Sequence, residues 1–165
     1  MEEKIEFCYT EKGAYAPKEN LPFVRRNNIA AIIKYQNQYL FLSWKEVRYE
    51  RSLVTGGIDE GEDYISAVKR EIQEETGYCD FKQITKVDCI NISKFFVEHK
   101  QQNREAVYHP YLVELNSLQK QEVEAKEQKE HSCIWVPVQE IQQINLFENH
   151  RKMLEKTLQL VQNSN

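Results

Sequence analysis

The sequence predicts an α/β layered sandwich, because segments typical of strands and of helices are mixed along a chain of 165 residues. Residues 29–35 and 39–44 are apolar and rich in β-branched or aromatic side chains, which is typical of buried strands. Residues 63–76 are highly charged but carry apolar side chains at helical spacing. A chain of this length suits one domain with a hydrophobic core, and the mixture of elements disfavours a bundle or a barrel.

The N-terminal segment has no clear periodicity. Residues 1–24 mix charged side chains with three residues that punctuate structure, Gly13, Pro17 and Pro22. We therefore expect an irregular lead-in that contains a short strand at residues 5–9. A single domain is expected over residues 25–163, since nothing in that range has the composition of a linker.

Turn residues divide the next part of the chain. The polar residues 36–38 predict a hairpin turn between the two apolar strands. Residues 52–55 lead into Gly56 and Gly57, a break that needs flexible backbone. Gly77 is well placed to end the helix predicted at residues 63–76, because glycine favours the left-handed position that follows a helix.

The second half of the chain returns to strands and then to helices. Strand patterns cover residues 81–92, 93–97 and 108–115, and a last strand covers residues 134–136 before Pro137. Residues 118–129 are so highly charged that we expect a solvated loop or a short helix. Residues 139–144 and 148–162 have helical patterns, and the apolar side chains of the second share one face, as in a helix that packs on a core.

The overall charge limits the classes of partner. The formal net charge is −4 at pH 7, so we expect no general binding of nucleic acids and no association with anionic membranes. An acidic protein that binds phosphates needs a local source of positive charge, which either a basic patch or a metal ion supplies.

The cysteines and the N-terminus indicate the compartment. Four cysteines are widely spaced and never form a C-x-x-C motif, which argues against a zinc or redox site: Cys8, Cys79, Cys89 and Cys133. The N-terminus lacks the basic region and apolar run of a signal peptide. The expectation is a cytoplasmic protein with reduced thiols.

Three glutamates share one stripe of the predicted helix. Glu71, Glu74 and Glu75 lie at positions i, i+3 and i+4, beside an apolar stripe formed by Ile65, Val68 and Ile72. Like charges at these spacings cost roughly 0.2–0.5 kcal/mol per pair. A divalent cation would offset this repulsion, and carboxylate oxygens are ligands that magnesium prefers. The stripe therefore predicts a metal site able to hold an anionic diphosphate.

Residues 56–78 resemble the Nudix box, G-x5-E-x7-R-E-U-x-E-E-x-G-U, in which U is a bulky apolar residue. Nine residues occupy its positions: Gly56, Glu62, Arg70, Glu71, Ile72, Glu74, Glu75, Gly77 and Tyr78. The resemblance extends more loosely over residues 27–144, in the order of strands around the box helix. It does not identify a subfamily.

The resemblance implies an α/β/α sandwich with a central mixed β-sheet, and a hydrolase that uses Mg²⁺ or Mn²⁺. By position, Glu71, Glu74 and Glu75 would bind the metal, and Glu62 would support them or bind the metal through water. Arg70 would orient the glutamates by ion pairing. The implied reaction is attack of water on the diphosphate linkage of a nucleoside diphosphate derivative or a nucleoside triphosphate. Glu74, Glu71 and Arg70 are the candidate catalytic residues of the box.

Two further positions follow from the resemblance. Thr55 stands where many family members have a glycine whose carbonyl binds metal, and a threonine can still offer its carbonyl. Glu130, with His131 and Trp135, resembles an E-H-x-x-x-W pattern that precedes the last strand in several Nudix enzymes. We predict Glu130 as ligand or base, against the alternative of a solvated acid in a charged run. Glu105 is a weaker candidate.

Substrate contacts and assembly are less defined. Five basic residues could meet the phosphates of a nucleotide-like substrate: Arg25, Arg26, Lys45, Arg48 and Arg51. Arg48 and Arg51 are the better candidates because they come just before the glycines. The alternative function is a Nudix-fold module that binds or senses a nucleotide without cleaving it. Nudix proteins are often dimers, so a homodimer is an open alternative.

Overall fold

The computed structural model describes residues 2–8, 16–45, 51–123 and 130–163. Its strands are β1 (Glu3–Cys8), β2 (Phe23–Tyr35), β3 (Gln38–Trp44), β4 (Arg51–Ser52), β5 (Val54–Gly57), β6 (Phe81–Lys86), β7 (Cys89–Val97), β8 (Gln102–Leu115) and β9 (His131–Pro137). Its α-helices are α1 (Tyr64–Thr76) and α2 (Glu148–Asn163), and short 3-10 helices cover Glu98–Lys100 and Val138–Gln143.

The described strands form one mixed sheet. Its main path runs β1-β7-β8-β2-β3-β4, while β5 pairs with β2, β6 with β8, and β9 with β3. The pairs β1–β7 and β2–β8 are parallel, and the others are antiparallel. The long β2–β8 ladder is the centre of the sheet and carries β5, the strand that leads into the glycines of the box.

Two hydrophobic layers cover the sheet, one on each face. Because side chains alternate along a strand, β2 sends Ile29 to one face and Ala30 to the other. Ile29 packs in a cluster with α1 residues such as Ile72, whereas Ala30 packs in a second cluster with α2 residues such as Met153. Each fully buried large apolar side chain contributes about 1.5–3 kcal/mol. The predicted α/β/α sandwich with a central mixed sheet is confirmed.

Helix α1 carries the box and has a defined cap at each end. Asp63 caps the N-terminus, where its Oδ1 accepts the N–H of Ser66 at 3.0 Å. Gly77 adopts φ 81°, a left-handed conformation, and its N–H bonds to Gln73 O. The helix predicted at residues 63–76 is therefore present, with Asp63 as its cap. Ile65, placed on the apolar stripe from sequence, is 38% exposed and belongs to neither hydrophobic cluster, whereas Val68 and Ile72 are buried.

Several element boundaries differ from the sequence prediction. The strand predicted over residues 81–92 is interrupted, since β6 ends at Lys86 and β7 begins at Cys89. Strand β8 begins at Gln102, not at residue 108, because pairing with β2 and β7 supports its polar N-terminal half. The lead-in contains β1, and β2 begins at Phe23. No helix among the described residues has the length and apolar character needed to cross a membrane.

Candidate active site

The two glycines that end β5 leave room for side chains from opposite faces of the sheet. A Cβ at Gly56 would lie 1.8 Å from the carboxyl carbon of Glu71, which reaches across from α1. A Cβ at Gly57 would lie 2.0 Å from Nη2 of Arg26, on the other face. Neither glycine has a positive φ. Glycine is required here for space, and the flexible break predicted from sequence is instead the end of strand β5.

Arg70 organises the acidic residues around this loop. Its Nε and Nη2 donate to the two carboxylate oxygens of Glu62, each at 2.8 Å. Nη1 donates to Glu71 at 2.7 Å and to Glu74 at 3.3 Å, and Nη2 also donates to Gly57 O at 2.9 Å. These contacts use all five N–H groups of the guanidinium. Arg70 therefore joins the glycine loop to α1 and has no N–H left for a substrate phosphate.

The same contacts set the charge of the site. Hydrogen bonds from Arg70 and from the Asp59 N–H hold the pKa of Glu62 at about 2. Burial raises the pKa of Glu71, and Arg70 opposes that rise. The carboxylate of Glu62 in turn raises the pKa of Arg70, which stays protonated. With several carboxylates around one guanidinium, the site is acidic at neutral pH.

Glu75 lies against a different residue, His131. Nε2 of His131 is 2.9 Å from the carbonyl oxygen of Glu75 and 3.3 Å from its Oε2. His131 is only 4% exposed, and its ring packs on Trp44 with centroids 4.9 Å apart. Trp44 is held in turn by its Nε1, which donates to the hydroxyl of Ser52 at 2.7 Å. Glu75 is thus linked to β9, β3 and β4.

A cleft of about 390 Å³ opens beside Glu75. Its lining combines the end of α1 with the start of β9 and includes Lys120, His131 and Cys133. The carboxylate of Glu75 therefore borders a space that a small molecule can enter. In the described part of the chain, no three His, Cys, Asp or Glu side chains converge closely enough to form a ready metal site.

Comparison with known proteins decides the family. A family model described as the NUDIX domain matches residues 24–157, which is most of the chain. The chain belongs to the Nudix family. This confirms the resemblance and places the protein among the Nudix hydrolases, whose reaction is hydrolysis of pyrophosphate bonds.

Solved Nudix structures are similar in fold at low sequence identity. A NUDIX hydrolase from Nitrosomonas europaea is 17% identical with a TM-score of 0.54, over 81% of this chain and 88% of that one. The NUDIX domain of Shewanella oneidensis NrtR, complexed with ADP ribose, is 17% identical with a TM-score of 0.63, over 84% and 89%. The E. coli dihydroneopterin triphosphate pyrophosphohydrolase is 18% identical with a TM-score of 0.60, over 81% and 95%. No curated protein matches the chain.

The Nudix box residues come together as a group in the fold. Glu62, Glu71 and Glu74 meet at Arg70. Thr55 lies in β5 opposite Ala30, directly before the glycines. Glu62, Glu71 and Glu74 thus gather at Arg70, whereas Glu75 lies against His131 at the C-terminal end of α1.

The two acidic candidates outside the box, Glu130 and Glu105, lie in different surroundings. Glu130 is exposed and immediately precedes His131, and its carbonyl accepts the N–H of Lys45 at 3.1 Å. Glu105 pairs with Arg25 at 3.0 Å and with Lys94 at 3.5 Å, so its carboxylate already has partners away from the box.

The two arginines favoured for substrate contact have different outcomes. The backbone of Arg51 bonds to Asn145 and Phe147, at the edge of the sheet. These partners belong to the segment that leads into α2, not to the box. Arg48 lies outside the described residues.

Sequence reasoning missed the role of the histidine in the E-H-x-x-x-W pattern. His131 contacts Glu75, and Trp135 donates its Nε1–H to the hydroxyl of Tyr78 at 2.9 Å. Both residues of β9 therefore touch the C-terminal end of the box helix. The E-H-x-x-x-W pattern was the signal available in the sequence, but only Glu130 was assigned a role from it.

Gly56→Ala is expected to lower the free energy of unfolding by about 2–4 kcal/mol, because the new methyl group would displace a buried carboxylate from Arg70. Urea denaturation would measure the loss. Gly57→Ala is the matched control, since its methyl group would meet only the end of the exposed Arg26 side chain. We expect it to cost less than about 1 kcal/mol. Equal losses in the two variants would contradict this account of the loop.

Proposed function

We propose that the protein is a metal-dependent hydrolase that cleaves the diphosphate linkage of a nucleoside diphosphate derivative or a nucleoside triphosphate by water attack at phosphorus. The observation that carries the proposal is the group of glutamates that Arg70 and the glycine loop hold in place. Glu62 and Glu71 are fixed by short bonds to Arg70, whereas Glu74 is 56% exposed at the solvent side. This arrangement suits a surface site that receives a small anionic substrate.

The residues present fit a divalent cation. Glu71 offers a carboxylate that is held against Gly56, and the excess of carboxylates over guanidinium needs positive charge before a diphosphate can bind. Oxygen donors of this kind suit Mg²⁺, and Mn²⁺ in its place. We propose Glu71, Glu74 and Glu75 as ligands, with Glu62 and the carbonyl of Thr55 as supporting donors. When bound, the ion polarises the phosphoryl group and lowers the pKa of the water it holds.

The protein's own side chains divide the remaining tasks. Arg70 orients Glu62 and Glu71, so their carboxylates need little reorganisation during the reaction. Glu74 is exposed enough to accept a proton from the attacking water at the open side of the site. Glu130 is the second candidate base, because the contact of His131 with Glu75 brings the start of β9 to the end of α1.

The substrate class is supported by the named neighbours. The Shewanella domain binds ADP ribose, and the E. coli enzyme acts on dihydroneopterin triphosphate. Both ligands carry a diphosphate linkage, so we propose a nucleotide-like small molecule as substrate. We expect no general binding of nucleic acids, since the formal net charge is −4.

One observation favours the alternative of a nucleotide-binding module without turnover. Arg70 forms ion pairs with Glu71 and Glu74. Among the described residues, no three His, Cys, Asp or Glu side chains form a ready metal site. A pure binder, however, gains nothing from the repulsion between neighbouring glutamates. The intact box therefore favours the enzyme.

Incubation with a panel of nucleoside triphosphates, sugar nucleotides and dinucleotides separates the two functions. We expect turnover of at least one compound, with two phosphorylated products, in the presence of Mg²⁺ or Mn²⁺. EDTA should abolish the activity and added metal should restore it. Tight binding of one compound without turnover of any would identify a sensor instead.

A further inference from the structure

A buried histidine outside the box contacts the end of the box helix. Residues near a helix C-terminus leave carbonyl groups without an intrahelical partner. The N–H four residues beyond Glu75 belongs to Cys79, and it bonds to Gln119 O instead. The carbonyl of Glu75 is therefore available to accept from His131 Nε2 at 2.9 Å. His131 supplies a hydrogen bond that the helix itself does not.

The contact fixes the tautomer and reaches the side chain as well. Both atoms near Nε2 are acceptors, the carbonyl oxygen of Glu75 and its Oε2, so Nε2 carries the hydrogen. The other ring nitrogen, Nδ1, is buried without a hydrogen-bond partner in the described part of the chain. The N–H of Nε2 thus donates to the backbone carbonyl of Glu75, while Oε2 of the carboxylate lies 3.3 Å from the same nitrogen without a hydrogen bond from it.

The ring has little freedom to leave this position. It is 4% exposed and packs against Trp44, whose Nε1 donates to Ser52. Ser52 lies in β4, two residues before β5 begins and four before Gly56. The chain of contacts from Ser52 to Glu75 therefore connects the strand before the glycine loop with the end of the box helix, the two sides of the candidate metal site.

We propose that His131 is a positioning residue that holds the carboxylate of Glu75 in the geometry the metal ion needs. The inference rests on the proposed metal-dependent function. Groups that orient metal ligands in this way typically change metal affinity or activity 10- to 100-fold when they are replaced. His131 acts through Glu75, so its effect is on metal affinity and on kcat more than on the KM for nucleotide.

Two amide variants test the reach of the hydrogen bond. In His131→Gln, the side-chain nitrogen can occupy the place of Nε2 and donate to Glu75. In His131→Asn, the amide is one methylene shorter and falls near the place of Nδ1. Titration of the full chain with MgCl₂ and MnCl₂, followed by calorimetry, should show near-normal affinity for the glutamine variant and about 10- to 100-fold weaker affinity for the asparagine variant. The concentration of Mg²⁺ for half-maximal activity should shift in parallel.

Trp135→Phe is the matched control for lost packing. It removes another N–H of β9 that bonds to the end of the box helix, but this N–H meets the Tyr78 hydroxyl and no carboxylate. We expect a loss of stability similar to that of His131→Asn, with metal affinity unchanged. Thermal denaturation of each variant separates folding from binding.

The outcomes distinguish this inference from the proposed function. If the wild-type protein binds Mg²⁺ and hydrolyses a nucleotide, but the asparagine and glutamine variants behave alike, the positioning role is wrong and the hydrolase stands. If the metal affinity depends on His131 but no nucleotide is cleaved, the positioning role stands and the hydrolase fails. Absence of Mg²⁺ and Mn²⁺ binding to the wild-type protein would overturn both.

Discussion

Glu74→Gln is expected to reduce kcat by about 10²- to 10⁴-fold, since loss of a charged group at a metal-assisted phosphoryl site is worth several kcal/mol of the barrier. The amide keeps the size and shape of the side chain but loses the negative charge and the basicity. A steady-state assay with the substrate found in the nucleotide panel would measure the decrease, at saturating Mg²⁺ so that weaker metal binding does not obscure it.

The fold should survive this replacement. Glu74 is 56% exposed, and its contact with Arg70 is long, at 3.3 Å. Exposed ion pairs of this kind contribute about 0–1 kcal/mol. Glu60→Gln is the matched control, because Glu60 is an exposed acid of the same segment that occupies no defined position of the box. Near-normal turnover in Glu74→Gln, or an equal loss in Glu60→Gln, would refute the catalytic assignment.

Arg70→Ala is expected to lower the free energy of unfolding by about 2–4 kcal/mol at neutral pH, because it leaves the buried carboxylate of Glu71 without its partner. The Arg70 side chain is 27% exposed and that of Glu71 is 11% exposed, so solvent screens the loss only in part. The variant also releases Glu62 and the carbonyl of Gly57. Activity should fall together with stability, because the glycine loop and α1 both lose the guanidinium that joins them.

The deficit should depend on pH with a defined sign. In the wild-type protein the pKa of Glu62 is lowered from 4.5 to about 2, so the bond to Arg70 stabilises the fold above pH 4.5 and is lost as the pH falls from 4.5 towards 2. In Arg70→Ala this acid-sensitive contribution is absent. Burial also raises the pKa of Glu71, whose unfavourable charge is relieved as the pH falls. The variant is therefore furthest below wild type near neutral pH and approaches it in acid.

Urea denaturation at a series of pH values would measure this convergence. Arg25→Ala is the control, because Arg25 pairs with Glu105 at 3.0 Å but its side chain is 62% exposed. We expect that variant to lose no more than about 1 kcal/mol at any pH. A deficit in Arg70→Ala that stays constant from neutral to acidic pH would contradict the assigned ion pairs.

Local patterns in the sequence determined the parts of this protein that depend on neighbouring residues. The capped helix from Asp63 to Gly77 could be predicted because spacing along a helix decides which side chains share a face. The buried strand through Ile29 could be predicted because a continuous apolar run has few alternatives. The box was recognisable because its glutamates lie within one stretch of chain.

Only the tertiary structure decided which distant residues meet. The polar first half of β8 is a strand because β2 and β7 flank it, and nothing within residues 102–107 indicates those partners. His131 reaches Glu75 from 56 positions away, across the pairing of β9 with β3. Contacts of this kind depend on strand order and register, which are set by packing of the whole sheet. The E-H-x-x-x-W pattern includes His131 but does not indicate its partner, so its contact with Glu75 could be found only in the folded chain.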